Sequence, residues 1–198
     1  MLEELIRLFI APFLKRIGFK KKGMTWNREA NGVVHVIDIQ PTRPRENGSE
    51  PFTINIGIFM NELWQLFWGK DAPQFIKEED CYPRFRLGYL LSEFDPKCRD
   101  KWWDIQSQKE IETVWKELET LLIGDCLPFF NRIESASDVL DVSINAKPSM
   151  PAEKLSHAIL LNMAGRKAES DQLISDFCSD PHWGARAKEI AKRLTQSS

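Results

Sequence analysis

The dipeptide Asn31-Gly32 constrains this chain most. Both residues tolerate positive φ, and together they favour a two-residue type I′ turn. Residues Met24 to Ala30 and Val33 to Gln40 flank it as two β-patterned runs. The pair reads as a hairpin, and a hairpin needs a third strand or a packed layer to be stable. The third strand is present. From Phe52 to Met60, Phe52, Ile54, Ile56 and Ile58 alternate with Thr53, Asn55 and Gly57. That period of two predicts a sheet with one face on an apolar core. Pro83 to Leu91 reads as a fourth strand.

Around this sheet the period changes to helical. Leu2, Leu5, Ile6, Phe9, Ile10, Phe13, Leu14 and Ile17 make one apolar face, and Gly18 stops it, with Phe19 packing back on Leu14. Pro12 inside that face is expected to kink or break the helix near Ile10. Asn61 to Trp68 reads as a short aromatic helix, and Asp95-Pro96 as the cap of another. Ser107 and Glu110 have capping-box spacing ahead of Ile111, Val114, Trp115 and Leu118. Gly124 and Pro128 then argue for a break, followed by a short helix from about Asp138 to Ile144.

Asn145 to Pro151 is the linker candidate, giving an α+β core over 1–145 and a helical extension over 146–198. The extension holds three helical segments, and Ala158 to Ala168 looks like the helix–turn–helix of a tetratricopeptide unit. One such unit cannot bury its own face, so it is expected to dock on the core. The fold class expected is α+β. An antiparallel sheet of about four strands carries helices packed on one face, with a C-terminal helical bundle.

Composition narrows the function classes. The chain has 198 residues, 42% hydrophobic and 28% charged, with a net charge of −2. That is a globular composition and not that of a wholly basic nucleic-acid binder. Charge is uneven along the chain. Residues 1–45 hold nine Lys/Arg against four Asp/Glu, 46–146 hold ten against nineteen, and 147–198 hold eight against six. No segment approaches the ~18 uninterrupted apolar residues of a membrane span. The acid-containing N-terminus has the pattern of neither a signal nor a transit peptide, so none is expected. Cys81, Cys98, Cys126 and Cys178 are widely spaced with no C-x-x-C, which reads as reduced thiols in the cytosol. A cytoplasmic location is therefore expected.

No phosphate-binding loop, zinc-ligand spacing, nucleophile elbow or dinucleotide fingerprint occurs. No cofactor, metal or catalytic group is expected. Lys20-Lys21-Lys22 beside Trp26 and Arg28 has a nucleic-acid pattern, but the charge does not extend over a face, so only weak binding is expected. The aromatic stretch Leu63, Trp64, Phe67 and Trp68 reads as core, with an interface patch as the minority reading. In the pair Trp102-Trp103 an extended backbone sends one ring in and one out.

The candidate site lies on the sheet. Alternation places Asp38 and Gln40 opposite the core, shares that parity with Thr53 and Asn55, and sets Arg84 and Arg86 together on the fourth strand. Trp26 and Arg28 are placed at the edge of the same face. Two arginines two residues apart can grip a carboxylate or phosphate, with Asp38 holding one and leaving the other for an anion. The alternative is a solvated outer face with an ordinary ion pair.

The order of segments has a family likeness. A helix leads to GFKKKGMTWNRE, then VVHVIDIQ, FTINIGIF, CYPRFRLG, a WW pair and a long helix. This order resembles an uncharacterised, largely bacterial family, domain of unknown function 4304, over roughly residues 1–135. The resemblance implies a small cytosolic α+β protein and supplies no activity. The leading expectation is a binding module for a protein partner, immunity- or antitoxin-like by analogy only. The alternative is a small-ligand or phosphate-handling enzyme using the arginines.

Overall fold

The computed structural model describes residues 1–46, 48–91 and 96–196. Its centre is an antiparallel sheet of β1 (Lys20–Lys22), β2 (Thr25–Ala30), β3 (Val33–Pro41), β4 (Glu50–Met60), β5 (Arg84–Arg86) and β6 (Trp103–Ile105). Strand order is β1-β2-β3-β4-β5, with β6 also pairing β4 near its start. The sheet thus has two more strands than the four expected, both only three residues long. The β2–β3 turn is the expected one, with φ of 50° at Asn31 and 79° at Gly32. Ala30 pairs with Val33, and the register runs unbroken to Thr25 opposite Asp38.

One face of the sheet carries the main core. Ile37, Ile39, Ile54, Ile56 and Ile58 are almost wholly buried there. Helices α1 (Leu2–Leu5) and α2 (Ala11–Arg16), joined by a π-turn over Ile6–Ile10, belong to this layer, as do α4 (Ile111–Leu121) and α5 (Leu127–Asn131). Phe9 and Phe13 pack on Trp115, and Phe130 stacks on His35 at 4.5 Å. The first helix ends as expected, with Gly18 at φ 92° and the Phe19 N–H donating to the Leu14 carbonyl.

The helix does not break at Pro12, where a kink or a break was expected, nor at Pro128, where a break was expected. In both places a π-turn precedes the proline, over Ile6–Ile10 and over Leu122–Cys126. The N–H groups of Ala11 and Leu127 donate five residues back, to Ile6 and Leu122. A proline in an α-helix collides with the carbonyl four residues earlier. The wider turn moves that carbonyl aside, so the chain continues helically. The capping box expected at Ser107 does not form: the Ser107 side chain caps nothing, and Glu110 accepts from the N–H of Gln106 instead of that of Ser107. Asp95 lies outside the described residues; a 3₁₀ turn covers Pro96–Asp100.

The second face is not open to water throughout. An irregular segment over 70–82 lies across it. Val36, Phe59, Trp64, Ile76 and Cys81 form a small second core there. Asn27 clasps this segment, donating to the Ile76 carbonyl at 2.9 Å and accepting from its N–H at 2.8 Å. Gly57 makes room for it: a Cβ at that position would sit 2.6 Å from Cys81 Cβ.

Helices α6 (Ala136–Ala146), α7 (Pro151–Met163), α8 (Lys167–Phe177) and α9 (Gly184–Gln196) complete the chain. Leu155, Ile159, Leu160, Ile190 and Leu194 join the same core as the sheet. The docking point is α3 (Asn61–Trp68). Its last carbonyls accept from α9: Arg193 donates to Leu66 at 3.1 Å and Phe67 at 3.2 Å, and Arg186 to Phe67 at 3.1 Å. Cations at a helix C-terminus satisfy orphan carbonyls and oppose the negative end of the dipole.

Candidate functional site

The register tests the parity on which the sequence-derived site rests. Asp38 pairs with Asn55, Gln40 with Thr53, Asn55 with Arg86 and Gly57 with Arg84. In an antiparallel pair, opposed residues share a face. Asp38, Gln40, Asn55, Arg84 and Arg86 therefore emerge on one face, opposite the main core. Trp26 and Arg28 do not. Trp26 pairs with Ile37 and Arg28 with His35, so both lie on the core face. Trp26 is 1% exposed. Arg28 is half-buried, donates to Asn131 Oδ1 at 2.9 Å and lies over the Phe19 ring.

The expected bond from Asp38 to an arginine is replaced by others. Thr25 Oγ1 donates to Asp38 Oδ1 at 2.6 Å, and Asn55 Nδ2 donates to Gln40 Oε1 at 3.0 Å. Each arginine instead has its own acid from a flanking turn. Arg84 pairs with Glu78 at 2.9 Å, and Arg86 pairs with Asp100 and lies 4.5 Å from the Trp102 ring centroid. Glu78 and Asp100 come from 3₁₀ turns beside the sheet, which strand alternation does not address.

Arg84 and Arg86 border a cleft of about 650 Å³ between this sheet face, α3 and the start of α7. Phe67, Trp68, Tyr82 and Phe85 line it, with Met150 and Glu153 on the far side. Two exposed large apolar side chains stand here, Trp68 at 41% and Met150 at 62%. Trp68 is exposed because the aromatic stripe of α3 is wider than one core. Leu63 and Phe67 enter the main core and Trp64 the second, which leaves Trp68 outside both. Arg186 covers one side of its ring at 4.7 Å. Trp102, beneath Arg86, is half out of the protein while Trp103 is buried, as alternation requires.

Burial is the leading influence on several ionisable groups around the cleft. Burial pushes the Cys81 thiol well up, reinforced by Glu78 and Asp80, so it stays protonated. Burial also raises the Tyr82 phenol. Its oxygen lies 2.5 Å from Ser143 Oγ, which lies 2.7 Å from His157 Nδ1. This chain of three hydroxyl and imidazole groups ties the cleft floor to α6 and α7. Burial pulls the His157 imidazole down, aided by Arg166. Glu78 is pushed up by burial, although Arg84 opposes the shift. Burial acts upward on Glu153 too, but the N–H groups of Met150 and Ser149 outweigh it and hold the carboxyl below its usual range. Among the described residues no group of three His, Cys, Asp or Glu side chains is placed to hold a metal ion. All four cysteines stand as free thiols. No described helix is long and apolar enough to cross a membrane.

The fold is that of an α+β protein with a cleft lined by aromatic and charged side chains at the edge of its sheet. Residues 10–132 match the family described as Domain of unknown function (DUF4304), and the chain belongs to that family. No curated protein and no solved structure matches it significantly. The matched segment spans all six strands and ends within the turn after α5. The cleft crosses that limit, because Met150 and Glu153 come from beyond it.

Proposed function

We propose that the protein is a cytosolic binding module that recognises a protein partner through this cleft. The observation that carries the reading is the exposure of Trp68 and Met150 beside a concavity bordered by Arg84 and Arg86. Tryptophan, tyrosine, methionine and arginine are the residues enriched at interface centres. The two arginines are already neutralised, so they act as oriented donors and apolar stems rather than as an empty anion trap. The wall groups Cys81 and Tyr82 stay protonated, which suits contact rather than attack on a substrate.

A second reading, small-ligand recognition, is favoured by the size of the cleft. A volume of about 650 Å³ lies within the usual range for small-molecule sites. The carboxyl of Glu78, pushed up beside Arg84, would be the acid of an enzyme built there. One experiment separates the two. The wild-type chain and a Trp68→Ala/Arg86→Ala variant are used to capture material from host lysate, with mass spectrometry of proteins and small molecules. A protein retained by the wild type and lost by an equally stable variant supports partner recognition. A small molecule lost in its place moves the reading to the second. Equal retention by both chains overturns the cleft as the site.

A further inference from the structure

A second surface lies far from the cleft in the fold, between the first helix and the edge strand β1. An apolar groove of about 970 Å³ runs there. Pro12 and Met24 are its accessible apolar side chains, set over a floor of Ile6, Phe19 and Trp26 that are each 5% exposed or less. Four cations border it, Arg7 and Lys15 on the helix and Lys20 and Lys21 on β1, against one acid, Glu3, at the start of the helix; all five are exposed. Lys21 Nζ donates to the Gly23 carbonyl at 2.6 Å and lies over the Trp26 ring, contacts that leave its charge unneutralised. Among the described residues, no carboxylate lies within ion-pair distance of Arg7, Lys15, Lys20 or Lys21. The contrast with Arg84 and Arg86, each with its own acid, is direct.

We infer that this groove receives an acidic amphipathic helix of a protein partner, its apolar face on the groove floor and its carboxylates against the two rows of cations. Charge complementarity selects the sign of the occupant. The spacing of the cations selects its form. Arg7 and Lys15 are eight residues apart, about 12 Å along the helix axis. One lipid headgroup cannot meet both, whereas acidic residues two turns apart on a peptide can. Concavity argues against a bilayer: Phe19 and Trp26 lie recessed between the walls, where a flat surface does not reach. Laying an apolar helix face into such a trough is a recurrent mode of recognition.

The test uses a labelled peptide of about five helical turns, leucines on one face and glutamates flanking them, with binding read by fluorescence anisotropy. A peptide with lysine for every glutamate, mixed phosphatidylserine–phosphatidylcholine vesicles and palmitate serve as competitors. The glutamate peptide is expected to bind, to weaken as salt is raised, and to bind roughly tenfold or more weakly to Lys15→Glu/Lys20→Glu. These exposed changes leave thermal unfolding near that of the wild type, and Met24→Asp provides an independent loss from the apolar lining. Equal binding of the lysine peptide, indifference to charge reversal, or displacement by vesicles or palmitate overturns the inference. The Trp68→Ala/Arg86→Ala variant retains peptide binding, so failure here and failure of the cleft are separate results.

Discussion

His35 shows how one buried side chain sets a pH dependence. It is 1% exposed, stacked on Phe130, with Nδ1 3.2 Å from an Arg28 guanidinium nitrogen. Arg28 can only donate, so Nδ1 accepts and the ring is neutral. Burial, reinforced by the Arg28 charge, lowers its pKa from 6.5 to about 4. The unfolded chain therefore binds more protons than the folded one between those values, and stability falls as pH drops from 6.5 towards 4. The difference corresponds to about 3 kcal/mol at most, fully expressed below pH 4. Urea titrations at pH 7 and pH 5 are expected to show a smaller acid loss in His35→Gln than in the wild type. An unchanged pH dependence would mean that this imidazole is not held neutral. The same residue exposes a limit of the sequence reading. Counting back from the two-residue turn places Trp26 opposite Ile37 and Arg28 opposite His35, on the core face. Strand parity was legible for Asp38, Asn55, Arg84 and Arg86. For Trp26 and Arg28 the polar surroundings of the lysine run misled it.

At the scale of elements, turns and caps decide where segments meet. Gly32 sits at φ 79°, and valine there is strained, so Gly32→Val should lower stability by about 1 kcal/mol or more. Unaltered thermal unfolding would contradict the type I′ geometry. The α9–α3 junction gives a second expectation. Arg193→Ala removes both bonds to the Leu66 and Phe67 carbonyls. A loss of about 1–2 kcal/mol follows, with faster proteolysis of residues 147–196, since bonds to a charged donor exceed neutral ones. Equal stability and equal cleavage would mean that apolar packing alone docks α9. Long periodic elements were legible because each repeats one burial pattern: the first helix, β3, β4, α3 and the three C-terminal helices. β1 is three exposed lysines and β6 three residues, too short for any period to show. For a different reason, the prolines did not break their helices. Their steric rule holds, but a π-turn satisfies it without ending the helix.

Over the whole molecule, the sheet is a divider between two unlike surfaces. Its main-core side is closed by helices, and its other side is shared between a small second core and the cleft. The segment over 70–82 has no periodicity, so nothing in the sequence announced that it would cover part of the polar face. It also brings Glu78 to Arg84, which turns an expected anion site into a neutralised wall. The C-terminal helices supply the opposite wall, placing Met150 across from the sheet arginines. A partner is expected to bind in this cleft. The most direct measurement is site-specific photo-crosslinking in the native host, with Met150→p-benzoylphenylalanine compared against the same replacement at Ile123. Both side chains are more than half exposed, and only Met150 lines the cleft. A discrete protein adduct at position 150, absent at position 123 and lost in Trp68→Ala/Arg86→Ala, is the predicted result. No adduct at position 150, or the same adduct at both positions, would contradict the claim.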